Sequence, residues 1–347
     1  MALAGSVTRH ERVARGLGEA MPRRALTWIG LAWAWSVLWI LAFHALVTRL
    51  RGPDVVRDHV ATGGWEDYLL LLLVVPWLVG YHGINRAFRA IHAEAPPAPS
   101  GLLFGPGLIV GWLLPVPFAW ATVAAAASLG QGRLDMHGGA IVARKGLTGP
   151  EAETLLQKLA DAPLPHPVVT TVEALVVSVM LYALLRAGEE IGWRGLLDRE
   201  LAPLGPVRSA VVGAFAWAVA YLPLVAMGVY FPGTGVGGAL ALLGGLFPLG
   251  LALIVLRRRG GTVWASAAAL GTLTGLSGAH ELVLVGGDAR WQSVFGPVGG
   301  GVVLITLLAL VARKGLHGLF AYPDPGAEGG APPSATPSPQ PATSGAP

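Results

Sequence analysis

Long uncharged runs, more than any other feature, limit what this chain can fold into. A helix needs about 18 or more mostly uncharged residues to cross a bilayer. Such runs occur roughly at 27–48, 66–85, 101–130, 168–188, 208–228, 236–256, 261–279 and 297–312. Charged residues make up 13% of the 347, against about a quarter in an ordinary soluble domain. This scarcity excludes an ordinary cytosolic enzyme, a disordered chain and a coiled coil. The expected fold is all-α, a polytopic membrane protein of about eight transmembrane helices. Pro106, Pro115 and Pro117 predict that the third run is kinked or split. The seventh, rich in Ala and Gly, is the least hydrophobic and fits a buried helix as well as a lipid-facing one.

The few cations set an orientation. Arg9, Arg12, Arg15, Arg23 and Arg24 precede the first run, and residues 1–26 lack the apolar core and cleavage site of a signal peptide. They read as a basic cytoplasmic segment ahead of a retained anchor. Alternate segments on that side carry 16 Lys and Arg, against eight on the other, so the positive-inside rule puts both termini in the cytoplasm. The expectation is an integral protein of a bacterial-type plasma membrane. The net charge of +4 is then a topology signal: lipid is an expected partner and nucleic acid is not. Residues 27–320 read as one membrane-embedded domain. Residues 321–347 read as a disordered cytoplasmic tail, with eight prolines among the 25 residues from Pro323. The sizeable polar loop, 131–167, contains one expected short amphipathic helix after Gly149-Pro150-Glu151.

Several chemistries drop out. The chain has no cysteine, which removes disulfides, thiolate catalysis and Cys-based metal sites. Its nine histidines are scattered and form no HExxH pair, so no metal site and no cofactor is expected. Gly233-Thr-Gly-Val-Gly-Gly238 formally fits a dinucleotide fingerprint, but it follows Phe231-Pro232 rather than a strand and has no acidic residue about 20 positions on. Close helix packing through small residues explains it better.

One segment stands apart: Arg186-Ala-Gly-Glu189-Glu190-Ile-Gly-Trp193-Arg194-Gly195. Four charges at the end of an apolar helix need a reason, because ionisable groups at membrane depth are costly unless paired. Arg186, Glu190 and Arg194 fall at i, i+4 and i+8, and the bland expectation is an ion-pair ladder on a solvated helix end. Glu189 points about 100° away, matched only loosely by Arg186. A carboxylate left over at the wall of a partly apolar cavity could serve as a general base.

The segment Gly-Glu189-Glu190-Ile-Gly-Trp-Arg194-Gly-Leu-Leu closely resembles the first motif of the CAAX protease and bacteriocin-processing family of intramembrane glutamic endopeptidases, which includes the Ras-converting CAAX endopeptidase. Ala216-Trp217-Ala-Val-Ala-Tyr221-Leu222-Pro223 resembles the second motif, an aromatic residue with His four later and then Leu-Pro. Arg257-Arg258-Arg259-Gly-Gly-Thr-Val-Trp264 resembles the approach to the third. The similarity covers about 168–275. It implies a membrane-associated protein or peptide substrate, with Glu189 activating water and Glu190 and Arg194 holding the motif in shape.

The sequence departs from the family at its imidazoles. The second-motif histidine position is Tyr221, and the third-motif His and Asn positions count to Leu270 and Thr274; no histidine occurs from 261 to 279. Tyr221 would supply a hydrogen bond in place of the histidine, and His280 is the one nearby imidazole that could move in. Two functional readings result. One is a CAAX-protease-like intramembrane endopeptidase hydrolysing membrane-associated proteins. The other is a catalytically inactive relative that acts as a scaffold or chaperone in the same cavity, expected to face the cytoplasm between runs four, five and seven. A small-solute transporter fits the hydropathy but lacks buried charges over several spans and an inverted repeat. A depth conflict remains: Tyr221 lies roughly 20 Å along run five, whereas Glu189 ends run four. It requires either an interfacial or membrane-embedded helix over 195–208, or a tilted run four with a deeper Glu189.

Overall fold

The computed structural model describes residues 9–62, 74–92 and 105–322, and these are almost wholly helical. The beginnings of runs two and three (66–73 and 101–104) and the tail from 323 lie outside the described residues. Helix α1 (Arg9–Arg51) carries the basic N-terminal segment into the first apolar run without a break, and α2 (Pro53–Thr62) comes next. A π-helical segment, Val74–Gly80, leads into α3 (Tyr81–Ile91). The proline-rich third run is divided into α4 (Pro106–Leu113) and α5 (Pro115–Ser128), because Pro115 has no N–H to continue the ladder.

The polar loop holds strand β1 (Arg133–Leu134), α6 (Gly139–Arg144) and the expected amphipathic helix, α7 (Pro150–Ala160). Run four is much longer than its apolar stretch. It passes through α8 (His166–Val177), a π segment (Ser178–Tyr182), α9 (Ala183–Glu190), a second π segment (Ile191–Leu196), α10 (Leu197–Leu201) and a last 3-10 turn to Leu204. Gly205, at φ +83°, reverses the chain, a conformation L side chains rarely adopt. Then come α11 (Pro206–Ala220), α12 (Leu222–Ala226), α13 (Gly235–Gly260), α14 (Val263–Gly275), α15 (Ala279–Val283), strand β2 (Leu284–Val285), α16 (Ala289–Gln292), α17 (Pro297–Lys314) and α18 (Leu316–Phe320).

The fold is an all-α polytopic membrane fold. Among the described residues six helical runs are long and apolar enough to cross a membrane: 23–51, 106–128, 166–204, 206–226, 235–260 and 289–314. The count differs from about eight for a physical reason. The expected seventh span is α14, only 13 residues long, or about 20 Å at the helical rise, with every residue from Val263 to Leu273 except Trp264 buried. It is a central packing helix. Run two lies partly outside the described residues.

Small residues let the helices close around α14. A Cβ on Gly271 would come within 2.9 Å of the Ala183 backbone nitrogen, so only glycine lets α14 press against the start of α9. Trp28, Trp193, Trp217, Leu246, Leu270 and Leu273 fill the core around this contact. Strands β1 and β2 pair antiparallel, Arg133 with Val285 and Leu134 with Leu284, tying the polar loop to the segment after α15. No strand was expected, since two-residue strands carry no readable periodicity. Gly235 and Gly238 sit at the start of α13, where a Cβ on Gly238 would meet Thr234, Val225 and Phe231. The glycine-rich motif is a packing feature, not a phosphate loop.

Candidate active site

Gly205 sets the depth of the site. Glu189 and Tyr221 each lie 16 residues from it, so the hairpin of run four and α11 brings them together about 24 Å from the turn. Of the two solutions to the depth conflict, the structure takes the helical one: 191–204 continues run four as helix, and Leu196, Leu197 and Leu201 are buried in the protein.

The expected solvated ladder is not the arrangement that forms. Arg186, Glu189, Glu190 and Arg194 are all buried, the two carboxylates at 0% exposure. The charges divide into two pairs: Arg186 with Glu189 at 2.9 Å, and Arg194 with Glu190 at 2.6 Å. The π segment begins just after Glu190, and a π turn rotates the succeeding residues relative to an α-helix. Isolated charges in such a place would be strongly destabilising, so pairing is required.

Three side chains from two helices donate to Glu189. Its Oε2 accepts from Arg186 Nη1 at 2.9 Å; its Oε1 accepts from Trp217 Nε1 and from the Tyr221 hydroxyl, both at 2.6 Å. Trp217 and Tyr221 are i and i+4 at the end of α11, which stacks them on one face. Arg186 also donates to the Tyr221 hydroxyl at 2.8 Å and to Thr274 Oγ1 at 3.1 Å, and a hydrogen bond joins it to Tyr230. Glu190 and Arg194 act one layer back. The Arg194 guanidinium lies over the Trp217 ring, 4.2 Å from its centroid, so a cation–π contact holds the indole that faces Glu189. Asn85 of α3 donates to the Gly188 carbonyl at 2.8 Å and accepts from Trp28 at 3.3 Å, fixing the backbone beside the two carboxylates.

The structure therefore joins Glu189, Tyr221 and the third-motif position Thr274, with Glu190 and Arg194 bracing them. Leu270 is buried in the apolar core, where it offers no hydrogen bond. His280 does not move in: it sits in α15 beside Glu281, Nε2 to Oε1 3.9 Å, and Glu281 pairs with Arg144. Among the described residues no cluster of three or more His, Cys, Asp or Glu could hold a metal.

The cavity also differs from expectation. A cleft with about 30 Å³ open to the centres of water molecules is lined by Trp35, Ser36, Trp39, Ile40, Pro76, Tyr81, Ala220, Tyr221 and Leu224. It lies between α1, the 74–80 segment, α3 and the α11–α12 junction, whereas runs four and five and α14 meet tightly at the charged cluster. About two waters would fit such a volume. Tyr221 stands between this cleft and Glu189.

Sequence reasoning missed Trp217 as a donor, Asn85 as a backbone brace and Arg186 as the centre of the cluster. A lone amide in an apolar run was a usable signal for Asn85. No local pattern pointed Arg186 at Tyr221, 35 positions away.

A buried carboxylate and guanidinium, bridged by a tyrosine and set in a helical bundle, define the class: a polytopic membrane protein with a glutamate-centred candidate site. Residues 171–273 match the Rce1-like family, described as type II CAAX prenyl endopeptidase Rce1-like. This match over residues 171–273 supports membership of the CAAX protease and bacteriocin-processing family. The match supports a CAAX protease-type function in general. Neither the curated proteins nor the solved structures gave a match.

Proposed function

We propose that this chain uses a CAAX-protease frame to hold a membrane-associated protein or peptide without hydrolysing it. The observation that carries this reading is the state of Glu189: both oxygens are occupied by protein donors, its exposure is 0%, and no histidine is among its partners. Peptide hydrolysis needs a base that touches water, a donor set for the oxyanion and an acid for the leaving amine. Here the base has no water-facing surface, and one of the expected oxyanion positions is Leu270. Losing a single oxyanion donor costs about a hundred- to a thousand-fold in rate.

The test is a cleavage and binding comparison in proteoliposomes, using membrane-anchored peptides and co-reconstituted membrane proteins as candidate substrates. A photo-crosslinking residue in place of Ile40, on the cleft wall, reports binding. The reading expects crosslinking without cleavage. Cleavage that disappears in Glu189→Gln overturns it.

A second reading, an active endopeptidase, is favoured by one observation: the residue that lines the cleft, Tyr221, also touches Glu189. In that reading Glu189 takes a proton from a water admitted past Tyr221. The resulting hydroxide adds to the peptide carbonyl, Tyr221 donates to the oxyanion, and the proton leaves with the amine.

A further inference from the structure

Arg186 is the least expected member of the cluster and its most connected one. It is 3% exposed and reaches side chains on three separate elements besides its own: Tyr221 at the end of α11, Tyr230 in the loop before α13, and Thr274 on α14. On its own helix it pairs with Glu189 at i+3. Tyr221 and Thr274 occupy the positions that correspond to the second- and third-motif polar residues, and one guanidinium spans both. A planar fork with five donors can do this; an ammonium cannot reach two such partners in a fixed geometry.

We propose that Arg186 is a positioning residue that locks the site closed, holding Glu189 against α11 and tying α9 to α14 through Thr274. This deepens the non-hydrolysing reading, since it names the group responsible for the closed state. Three geometric facts support it. Nη1 is shared between Glu189 Oε2 and the Tyr221 hydroxyl, at 2.9 and 2.8 Å. That same hydroxyl then donates to Glu189 Oε1 at 2.6 Å, closing a ring of carboxylate, guanidinium and phenol. Gly271 lets α14 approach the start of α9 closely enough for Nη2 to reach Thr274. Trp217 contributes one donor to the carboxylate; Arg186 contributes one directly and orients another.

Reactivity of Glu189 towards an apolar carbodiimide, mapped by mass spectrometry on the full chain in proteoliposomes, tests the lock. Thermal unfolding of each variant reports whether it folds. Wild-type Glu189 is expected to be unreactive. Arg186→Gln is expected to raise its modification at least tenfold, and Arg186→Lys, which keeps a charge but not the fork, to give an intermediate value. Thr274→Val should raise it about twofold. Tyr221→Phe, which keeps the ion pair and nearly the same shape, should raise it less than Arg186→Gln. A folded Arg186→Gln protein with unreactive Glu189 overturns the proposal. So does full modification of Glu189 in Tyr221→Phe, and this arm stands even where the Arg186 variants fail to fold. Cleavage by the wild-type protein would sink the non-hydrolysing reading through a separate readout, leaving the order of carbodiimide reactivities to decide the role of Arg186.

Discussion

Two buried arginines of this protein teach different lessons. Arg258, on α13, forms a two-pronged pair with Asp198 of α10 and also donates to the carbonyls of Pro206 and Phe320, to Ser209 and to Tyr322. Its guanidinium lies 4.1 Å from the centroid of the Tyr322 ring. These partners include backbone carbonyls beside the run-four turn and at the end of α18, so Arg258 fastens chain segments together. Arg186, equally buried, meets carboxylate, hydroxyl and phenol groups whose placement depends on side-chain rotamers, next to a cleft. A cation bound to backbone carbonyls is a staple. A cation bound to movable side chains beside open space is part of a site.

Removing Arg258 should break this contrast most forcefully. Arg258→Met leaves Asp198 without its guanidinium partner and takes a donor from the Pro206 and Phe320 carbonyls, and should lower stability by about 3–5 kcal/mol, measured by thermal unfolding in detergent micelles. Arg186→Met should cost less, because Glu189 keeps Trp217 and Tyr221 as donors. Equal losses would erase the distinction.

A pH titration supplies the next largest effect, in α15, away from both arginines. Burial pushes His280 down to about 4, against about 6.5 in an unfolded chain. Between those values the unfolded chain binds the extra proton, so stability falls as pH drops from 6.5 towards 4 and is fully present above 6.5. The loss is on the order of 3 kcal/mol, with Glu281 and Arg144 as the neighbouring charges. His280→Gln should flatten this slope, and an unchanged slope would assign it to other groups.

Smaller changes sharpen the site side of the comparison. Trp217→Phe keeps a ring under Arg194 but removes one donor from Glu189, at a cost of about 1–3 kcal/mol for the group left short; the same unfolding assay reads it. Tyr221→Phe should cost about 1 kcal/mol and create no peptide hydrolysis. Cleavage appearing in Tyr221→Phe would mean the hydroxyl was the sole obstacle to water.

Much of the site was legible before any fold was known. The Glu189-Glu190-x-x-x-Arg194 spacing and the aromatic pair Trp217 and Tyr221 mark it in the chain, and the count from Trp264 to Thr274 lands on a residue that touches Arg186. The pairing was not legible. The ladder's Glu190–Arg194 rung forms, but Arg186 turns from Glu190 to Glu189 at i+3, where Tyr221 arrives from another helix to share it. Depth stayed open in the sequence because the apolar stretch of run four ends near 188, while the helix continues to 204. Hydropathy reports where charge begins, not where a paired and buried helix stops.

The sequence by itself determined that this is a helical membrane chain, because so few charges cannot solvate a soluble surface of this size. It also determined that this chain offers no thiol, and that the glutamate pair stands out in the family-like segment as adjacent carboxylates at the end of an apolar run. Only the tertiary structure decided that Glu189 is enclosed, that Tyr221 separates it from the cleft, and that Arg186 joins α9, α11 and α14. These contacts join residues 28, 35 and 88 positions apart. They exist because glycine turns and glycine contacts let three helices meet at one depth, a coincidence in space that no local spacing encodes.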